Sequence, residues 1–135
     1  MTLTSHTPIS IRSPFAHYSH GVEVPSGSRI LFASGQLGIC PDDTIPECAM
    51  EQTRLCFENI GEVLKEASMT YSDIVRINAF VTDRRHLKAY MQVRDEFTSN
   101  PPPASTLIIV SGFAREEFVI EVEVIAAKKD KCMRR

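Results

Sequence analysis

The chain has 135 residues, enough for one domain around a single hydrophobic core and too few for two. Its 15 Lys and Arg residues against 17 Asp and Glu give a net charge of −2, so no field of the whole molecule attracts nucleic acid or an anionic membrane. No apolar run reaches the length of a membrane span, and residues 1–14 lack the basic start and apolar stretch of a signal peptide. We therefore expect a soluble cytoplasmic protein without a membrane or nucleic-acid partner.

The first predicted elements are a β-hairpin and a long helix. Residues 18–24 and 29–34 are predicted to be paired strands, because residues 25–28, Pro-Ser-Gly-Ser, supply the turn chemistry between them. From residue 47 to residue 67 apolar side chains recur at spacings of three and four, which predicts an amphipathic helix. Gly61 in its interior costs about 1 kcal/mol relative to alanine, so a close packing contact is expected there.

The second half of the chain alternates strand and helix. Residues 74–82 are predicted to form a strand with Val75, Ile77, Ala79 and Val81 on one face. Asp83 is placed to cap a helix over residues 84–97. Two further strands are predicted over residues 103–110 and 119–126. The order strand, strand, helix, strand, helix, strand, strand predicts an α+β fold with both helices packed on one face of a mixed sheet.

The last predicted strand separates apolar from acidic residues. Ile120, Val122 and Val124 fall on one face, while Glu121 and Glu123 share the other, as the period of two in a strand requires. This second face is half apolar, which indicates either an interface between identical subunits or an ordinary solvated face. The apolar residues expected on it are Phe80, Val119 and Ile125.

We expect a single domain over residues 1–127, followed by a basic tail over residues 128–135. The four cysteines form no C-x-x-C pair and are too few to cross-link a domain of this size, so they are expected to be reduced thiols. Cys56 lies on the apolar face of the first helix and is predicted to pack in the core. Cys132 lies among Lys and Arg residues of the tail, where it is either a reactive thiolate or, as we favour, part of a solvated segment.

Five short segments occur in order between residues 14 and 127: Tyr18-Ser19, Ser34-Gly35-Gln36, Asp73-Ile74-Val75-Arg76, Pro103-Ala104 and Glu121-Val122-Glu123. Their identity and order resemble the RidA/YjgF family of reactive-intermediate deaminases. The resemblance implies a chorismate-mutase-like α+β fold, assembly as a homotrimer and a small-molecule site in each cleft between subunits, without a cofactor.

The resemblance also implies a reaction. Members of the best-known branch hydrolyse reactive enamines and imines to a 2-keto acid and ammonia. An arginine directly after Pro-Ala binds the substrate carboxylate there, and this position is Ser105 in the present chain. A hydroxyl cannot replace a bidentate guanidinium, so we expect an altered substrate, with Arg76 or Arg115 as candidate substitutes for the arginine.

The resemblance makes Glu121 the candidate catalytic residue. The like charge of Glu123 would raise the pKa of its carboxyl, which suits proton transfer; an ion pair across an interface is the alternative. His17 and His20 could act as acid and base, although plain surface positions are the favoured interpretation, and residues three apart in a strand do not form a metal site. The candidate substrate-binding residues are Tyr18, Ser34, Gly35, Ser105, His17, His20 and Met91.

Three functions remain open at the level of sequence. The first is an imine or enamine deaminase with an altered substrate. The second is a noncatalytic small-molecule binding protein with the same cleft. The third is a ribonuclease or translation inhibitor, which is disfavoured because its only support is the basic run over residues 128–135.

Overall fold

A computed structural model describes residues 3–130 of the chain. It contains seven short to medium strands and two α-helices, and one-turn 3₁₀ helices precede β5 and α2. The bounds are β1 Thr4–His6, β2 Gly21–Glu23, β3 Arg29–Phe32, β4 Gln36–Leu37, α1 Ala49–Glu66, β5 Ile74–Val81, α2 Leu87–Phe97, β6 Ala104–Ile109 and β7 Ile120–Lys128.

The main sheet is mixed and is centred on β7. Its order is β3-β7-β5-β6, and β4 pairs with β7 beyond the end of β3. The pair β5 and β6 is parallel, whereas β3, β4 and β5 all pair with β7 in antiparallel register. The predicted α+β fold with two helices packed against a mixed sheet is therefore confirmed.

The core lies between the helices and one face of this sheet. Along β7, Ile120 and Val122 are fully buried, and Ile77 and Ala79 continue the same face in β5. Cys56 of α1 is also fully buried, which confirms its predicted packing role. Burial raises the pKa of the Cys56 thiol to about 12, so the thiol stays protonated at neutral pH.

The predicted hairpin over residues 18–34 is wrong. The strand β2 pairs with β1 in a separate two-stranded sheet, and β3 pairs with β7 instead. The segment between them does turn, since the Ser28 amide donates to the Pro25 carbonyl at 3.3 Å. The flanking strands diverge after that turn because β3 follows the long edge of β7 and packs the half-buried Leu31 against the core. The alternation of apolar and polar residues does not show whether β3 pairs with β2 or with β7.

Strand β5 contains a bulge that the sequence pattern did not predict. The register moves from Ile74 opposite Ala126 to Arg76 opposite Ile125, so Val75 is an extra residue. Consequently Ile74 is buried on the same face as Ile77. Simple alternation predicted Val75 on that face instead, and Val75 is only partly buried.

The last strand is longer than predicted. It continues to Lys128, whose Nζ donates to the Ser68 carbonyl at 3.2 Å, and Asp130 accepts from Arg29 Nε at 3.0 Å. The segment predicted as a tail thus begins within a paired strand. The rest of that segment, with Cys132, lies outside the described residues.

Gly61 offers a direct test of helix packing. A Cβ built at this position would lie 2.8 Å from Tyr71 Cζ and still closer to its Oη, while that hydroxyl donates to the Phe57 carbonyl at 2.8 Å. The Gly61→Ala variant should gain about 1 kcal/mol of helix propensity and lose about 1–3 kcal/mol to overpacking. We therefore expect a lower melting temperature, measured by calorimetry.

A double-mutant cycle with Tyr71→Phe checks the cause of that loss. Removing the hydroxyl removes the closest atom, so Gly61→Ala should be less destabilising in the Tyr71→Phe background. Equal losses in both backgrounds would show that the Tyr71 hydroxyl does not limit the space at Gly61.

Candidate functional site

Glu121 lies near the start of the central strand β7, on the face turned away from the helices. Its neighbours along β7, Ile120 and Val122, are fully buried, so alternation directs Glu121 to the opposite face. It pairs with Leu37 of β4 on one side and with Phe80 of β5 on the other. The candidate catalytic carboxyl therefore stands on a rigid, doubly paired part of the sheet.

Gly35 provides the space that the Glu121 side chain occupies. A Cβ at Gly35 would lie 2.6 Å from Glu121 Cδ and 2.8 Å from its Oε2. The glycine falls at the break between β3 and β4, and the neighbouring Ser34 is exposed, with its carbonyl accepting from Gln36 Nε2 at 3.2 Å. Three of the predicted site residues, Glu121, Gly35 and Ser34, are thus brought together.

The surroundings of Glu121 disfavour its ionised form. Burial raises the pKa of the Glu121 carboxyl, and the like charge of Glu123 raises it further. Glu123 is itself held in place, because its Oε1 accepts from Asn78 Nδ2 at 3.1 Å. No residue in the described range 3–130 donates a hydrogen bond to the Glu121 carboxyl. A carboxyl of this kind keeps its proton to a higher pH than usual and can exchange it with a ligand.

Tyr18 and His20 lie in a segment that docks at the start of β6. The Ser19 amide donates to the Pro103 carbonyl at 3.0 Å, and Ser19 forms an isolated parallel bridge with Ala104. The rings of Tyr18 and His20 meet edge-on, with centroids 6.0 Å apart. The Tyr18 hydroxyl accepts from the Phe15 amide at 3.3 Å, His20 Nε2 lies 2.7 Å from the Arg12 carbonyl oxygen, and His17 is half-buried beside them.

This segment is remote from Glu121 within one chain. Ser19 pairs with Ala104, Ala104 with Arg76, and Arg76 with Ile125, which is four residues from Glu121. Three strand spacings of about 4.8 Å and four residues of about 3.4 Å put the two backbones roughly 20 Å apart. The predicted site residues therefore fall into two separate groups in the protomer.

Ser105 and Met91 belong to the group near β6. Ser105 pairs with Ile77, whose side chain is buried on the helix side of the sheet, and it lies close to the phenol of Tyr90 in α2. Met91 is half-buried and packs against the core. Neither residue shares the sheet face that carries Glu121.

The two arginines expected as substitutes have other contacts. Arg76 Nε donates to Asn78 Oδ1 at 2.9 Å, and its Nη2 donates to Thr106 Oγ1 at 2.6 Å. Arg115 lies in the loop before β7, with its guanidinium carbon 5.9 Å from the centre of the Phe118 ring. Because Asn78 in turn donates to Glu123, Arg76 belongs to the hydrogen-bond network that holds the Glu123 carboxylate.

Sequence reasoning missed a third arginine, Arg94 of α2. Only 3% of its surface is exposed, and it lies one turn after the fully buried Tyr90. A signal was present, because Leu87, Tyr90, Met91 and Arg94 follow spacings of three and four, so the charge occupies an otherwise apolar stripe. A buried arginine near Ser105 is unusual enough to need a partner or a ligand.

Two negative findings apply to the described part of the chain. Among residues 3–130, no group of three or more His, Cys, Asp or Glu side chains is arranged to hold a metal ion. Within the same range, neither helix combines the length and the apolar character that crossing a bilayer requires.

Comparison with known proteins identifies the family. The family model described as endoribonuclease L-PSP matches residues 9–128. The RutC family protein YjgH of Escherichia coli is 34% identical over 125 residues, which cover 91% of this chain and 93% of that protein. A protein of the same bacterium named "Putative reactive intermediate deaminase TdcF" is 28% identical over 116 residues, 82% of this chain and 86% of its own length.

The fold has a close structural counterpart. A crystal structure of YyfB from Yersinia pestis, described as a protein of unknown function of the conserved Rid protein family, superposes with a TM-score of 0.82. The match covers 95% of this chain and all of that one, at 26% sequence identity. The breadth of the family match, the identity to YjgH and this superposition agree, and the chain belongs to the RidA/YjgF family.

Proposed function

We propose that the protein hydrolyses a reactive imine or enamine and releases ammonia, with Glu121 as the residue that transfers protons. The observation that carries the proposal is the Glu121 carboxyl, which is held against Gly35 on a rigid strand with its pKa raised by burial and by Glu123. The name of one relative, "Putative reactive intermediate deaminase TdcF", supports the same reaction class.

The reaction needs only water and a group that both gives and accepts a proton. The protonated Glu121 gives its proton to the imine nitrogen, which makes the imine carbon electrophilic. Water adds to that carbon and its proton returns to the carboxylate, giving a carbinolamine. A second proton transfer to nitrogen lets the C–N bond break, and the hydroxyl proton restores Glu121 as ammonia and the carbonyl product leave.

We also propose that the active site forms between subunits of a homotrimer. The predicted residues lie in two groups roughly 20 Å apart in the protomer, so one copy could place its Glu121 against the Tyr18 segment of another. The face that carries Glu121 also exposes large apolar side chains, which favours burial against a second copy. They are Ile30, Phe32 and Ile108, with 54%, 73% and 47% of their surfaces exposed.

The other expectations remain subordinate to this proposal. A noncatalytic binding protein is the second candidate, because Ser105 replaces the arginine of the best-known branch. The ribonuclease hypothesis rested on the basic residues of the tail, and residues 131–135 lie outside the described range. The cytoplasmic location and the absence of a cofactor also remain predictions.

A steady-state assay over a panel of amino-acid-derived imines tests the activity. The Glu121→Gln variant should lower kcat/KM by about 10²- to 10⁴-fold, the usual contribution of a general acid or base. Glu123→Gln is the matched control, which should keep activity and move the alkaline limb of the pH profile, where Glu121 loses its proton, to lower pH. Full activity of Glu121→Gln would refute the assignment, whereas binding without turnover by the wild type would favour the noncatalytic protein.

The protonation of Glu121 predicts a pH-dependent stability. Its pKa in the folded protein is raised above the ordinary 4.5, so the neutral form is favoured and stability is lost as pH rises through the raised pKa. Glu121→Gln should therefore raise the melting temperature at about pH 7 more than at about pH 3.5, where both side chains are neutral. Exposed Glu47→Gln controls for the change in net charge. A gain independent of pH would contradict the raised pKa.

The assembly is tested by placing a charge on the exposed apolar face. The wild-type protein should sediment as a trimer at micromolar concentration, and Phe32→Glu should sediment as a monomer because a carboxylate would be buried at the interface. Gln92→Glu adds the same charge at an exposed position of α2 and should stay trimeric. A monomeric wild type, or a trimeric Phe32→Glu, would argue against the proposed interface.

A further inference from the structure

Arg94 brings a positive charge into the interior beside two hydroxyl groups. It is 3% exposed and lies one helical turn after Tyr90, which is fully buried, with its guanidinium carbon 5.6 Å from the centre of the Tyr90 ring. Ser105 of β6 and Arg94 both lie close enough to the Tyr90 phenol to lower its pKa against the larger effect of burial. The three side chains therefore form one polar cluster between α2 and β6.

The cluster contains donors that the described residues do not satisfy. Arg94 Nε donates to Asp95 Oδ1 at 3.1 Å, and Nη2 lies 3.0 Å from the same oxygen. Among residues 3–130, neither the buried Arg94 Nη2 nor the buried Tyr90 hydroxyl makes a hydrogen bond of good geometry. Buried donors without acceptors are strongly unfavourable, and buried charges are normally paired or bound to a ligand.

Asp95 does not neutralise this cluster fully. Its side chain is 46% exposed, so solvent screens much of its charge, whereas the guanidinium is buried. Both of its contacts with Arg94 go to a single oxygen, Oδ1, on the Nε side of the guanidinium. A second Nη2 proton is left for another acceptor, since each guanidinium nitrogen of this type carries two.

The chemistry of the cluster matches a small carboxylate. Arg supplies a charged fork that binds two carboxylate oxygens, and Tyr90 and Ser105 add hydroxyl donors. Burial raises the pKa of Tyr90 to about 12, so its hydroxyl keeps the proton that it would donate. Ser105 is partly exposed, so the cluster reaches the surface at this residue.

We propose that Arg94, Tyr90 and Ser105 form an anion-binding site between α2 and β6 that holds the carboxylate of the ligand. This inference extends the proposed function. It rests on that function only in the claim that the bound carboxylate belongs to the substrate. The positive group that binds the carboxylate is then Arg94 of α2, whereas the best-known branch of the family has its arginine in the strand, at the position of Ser105. The substrate class is consequently an imine derived from an acid, not a neutral imine.

The proposal predicts that an arginine at position 105 would be unfavourable. Ser105→Arg would place a second guanidinium beside the buried Arg94, and like charges in a poorly solvated site repel. We expect this variant to bind carboxylates less well and to melt at a lower temperature than the wild type. Adding Arg94→Leu should recover part of both losses, because one guanidinium then remains in the cluster.

The site is tested directly by calorimetric titration of the full-length protein. The first probe is 2-oxobutanoate and the second is its neutral amide. Arg94→Gln should weaken binding of the carboxylate roughly tenfold to a hundredfold, the range of a charge-assisted hydrogen bond, and leave the amide unchanged. Arg54→Gln, which removes a partly exposed arginine paired with Glu96, is the matched control and should bind as the wild type does. Equal affinity of the wild type and Arg94→Gln for 2-oxobutanoate would overturn the proposal.

A second variant separates ligand binding from a structural role. Tyr90→Phe keeps the buried ring and removes only the hydroxyl, so it should fold and lose several-fold in affinity for the carboxylate alone. A parallel loss for both probes would show that the cluster merely supports the fold, which also overturns the proposal. Glu121→Gln should bind 2-oxobutanoate normally while failing to turn over imines, so failure of this site and failure of the proposed hydrolysis give different results.

Discussion

The register of β7 is the constraint on which the rest of the structure depends. This strand pairs with β5 along one edge and with β3 and then β4 along the other, and every second residue enters the core. A slip of one residue would place Glu121 and Glu123 beneath the helices and expose Ile120 and Val122. Burying two unpaired carboxylates is so unfavourable that the hydrophobic pattern fixes the register, and with it the position of the acidic row.

The same register keeps the two groups of candidate site residues apart within one chain. Glu121 and Gly35 meet where β4 joins β7, while Tyr18 and Ser105 lie at the far edge strand, with β5 between the two groups. The strands are held by ladders of hydrogen bonds, so no small movement of side chains can close this distance. The proposed catalytic cleft, which uses both groups, therefore requires a second copy of the chain.

Much of this arrangement follows from periodicity in the sequence. The spacing in α1, the alternation in β7 and the capping of residues 84–97 by Asp83, which accepts from the Arg85 amide at 2.9 Å, could each be predicted because they depend on neighbouring residues. The acidic face of Glu121 was predictable for the same reason. The resemblance of short segments then added the family and the identity of the candidate site residues.

The features that could not be predicted depend on competition between distant partners. Whether residues 29–32 pair with β2 or with β7 depends on distant contacts, such as the packing of the half-buried Leu31 against the core, and the local turn at residues 25–28 is compatible with both outcomes. The contact between Gly35 and Glu121 joins residues 86 positions apart, so no local pattern contains it. Arg94 was overlooked because a charge on a helix is normally solvated, although its place in an apolar stripe was visible.

The bulge at Val75 changes how β5 responds to alterations of chain length. Ile74 and Ile77 are both directed inward only because one residue between them is left out of the ladder. Loss of Val75 would leave a continuous alternation in which Ile74, Ile77 and Ala79 still face the helices. Deletion of Asn78, three residues later, would turn the inward-facing side chains that follow it in β5 outward and the outward-facing ones inward. Strand β5 thus contains one place, the two residues between Ile74 and Ile77, at which a residue can be deleted without exchanging the core for the surface.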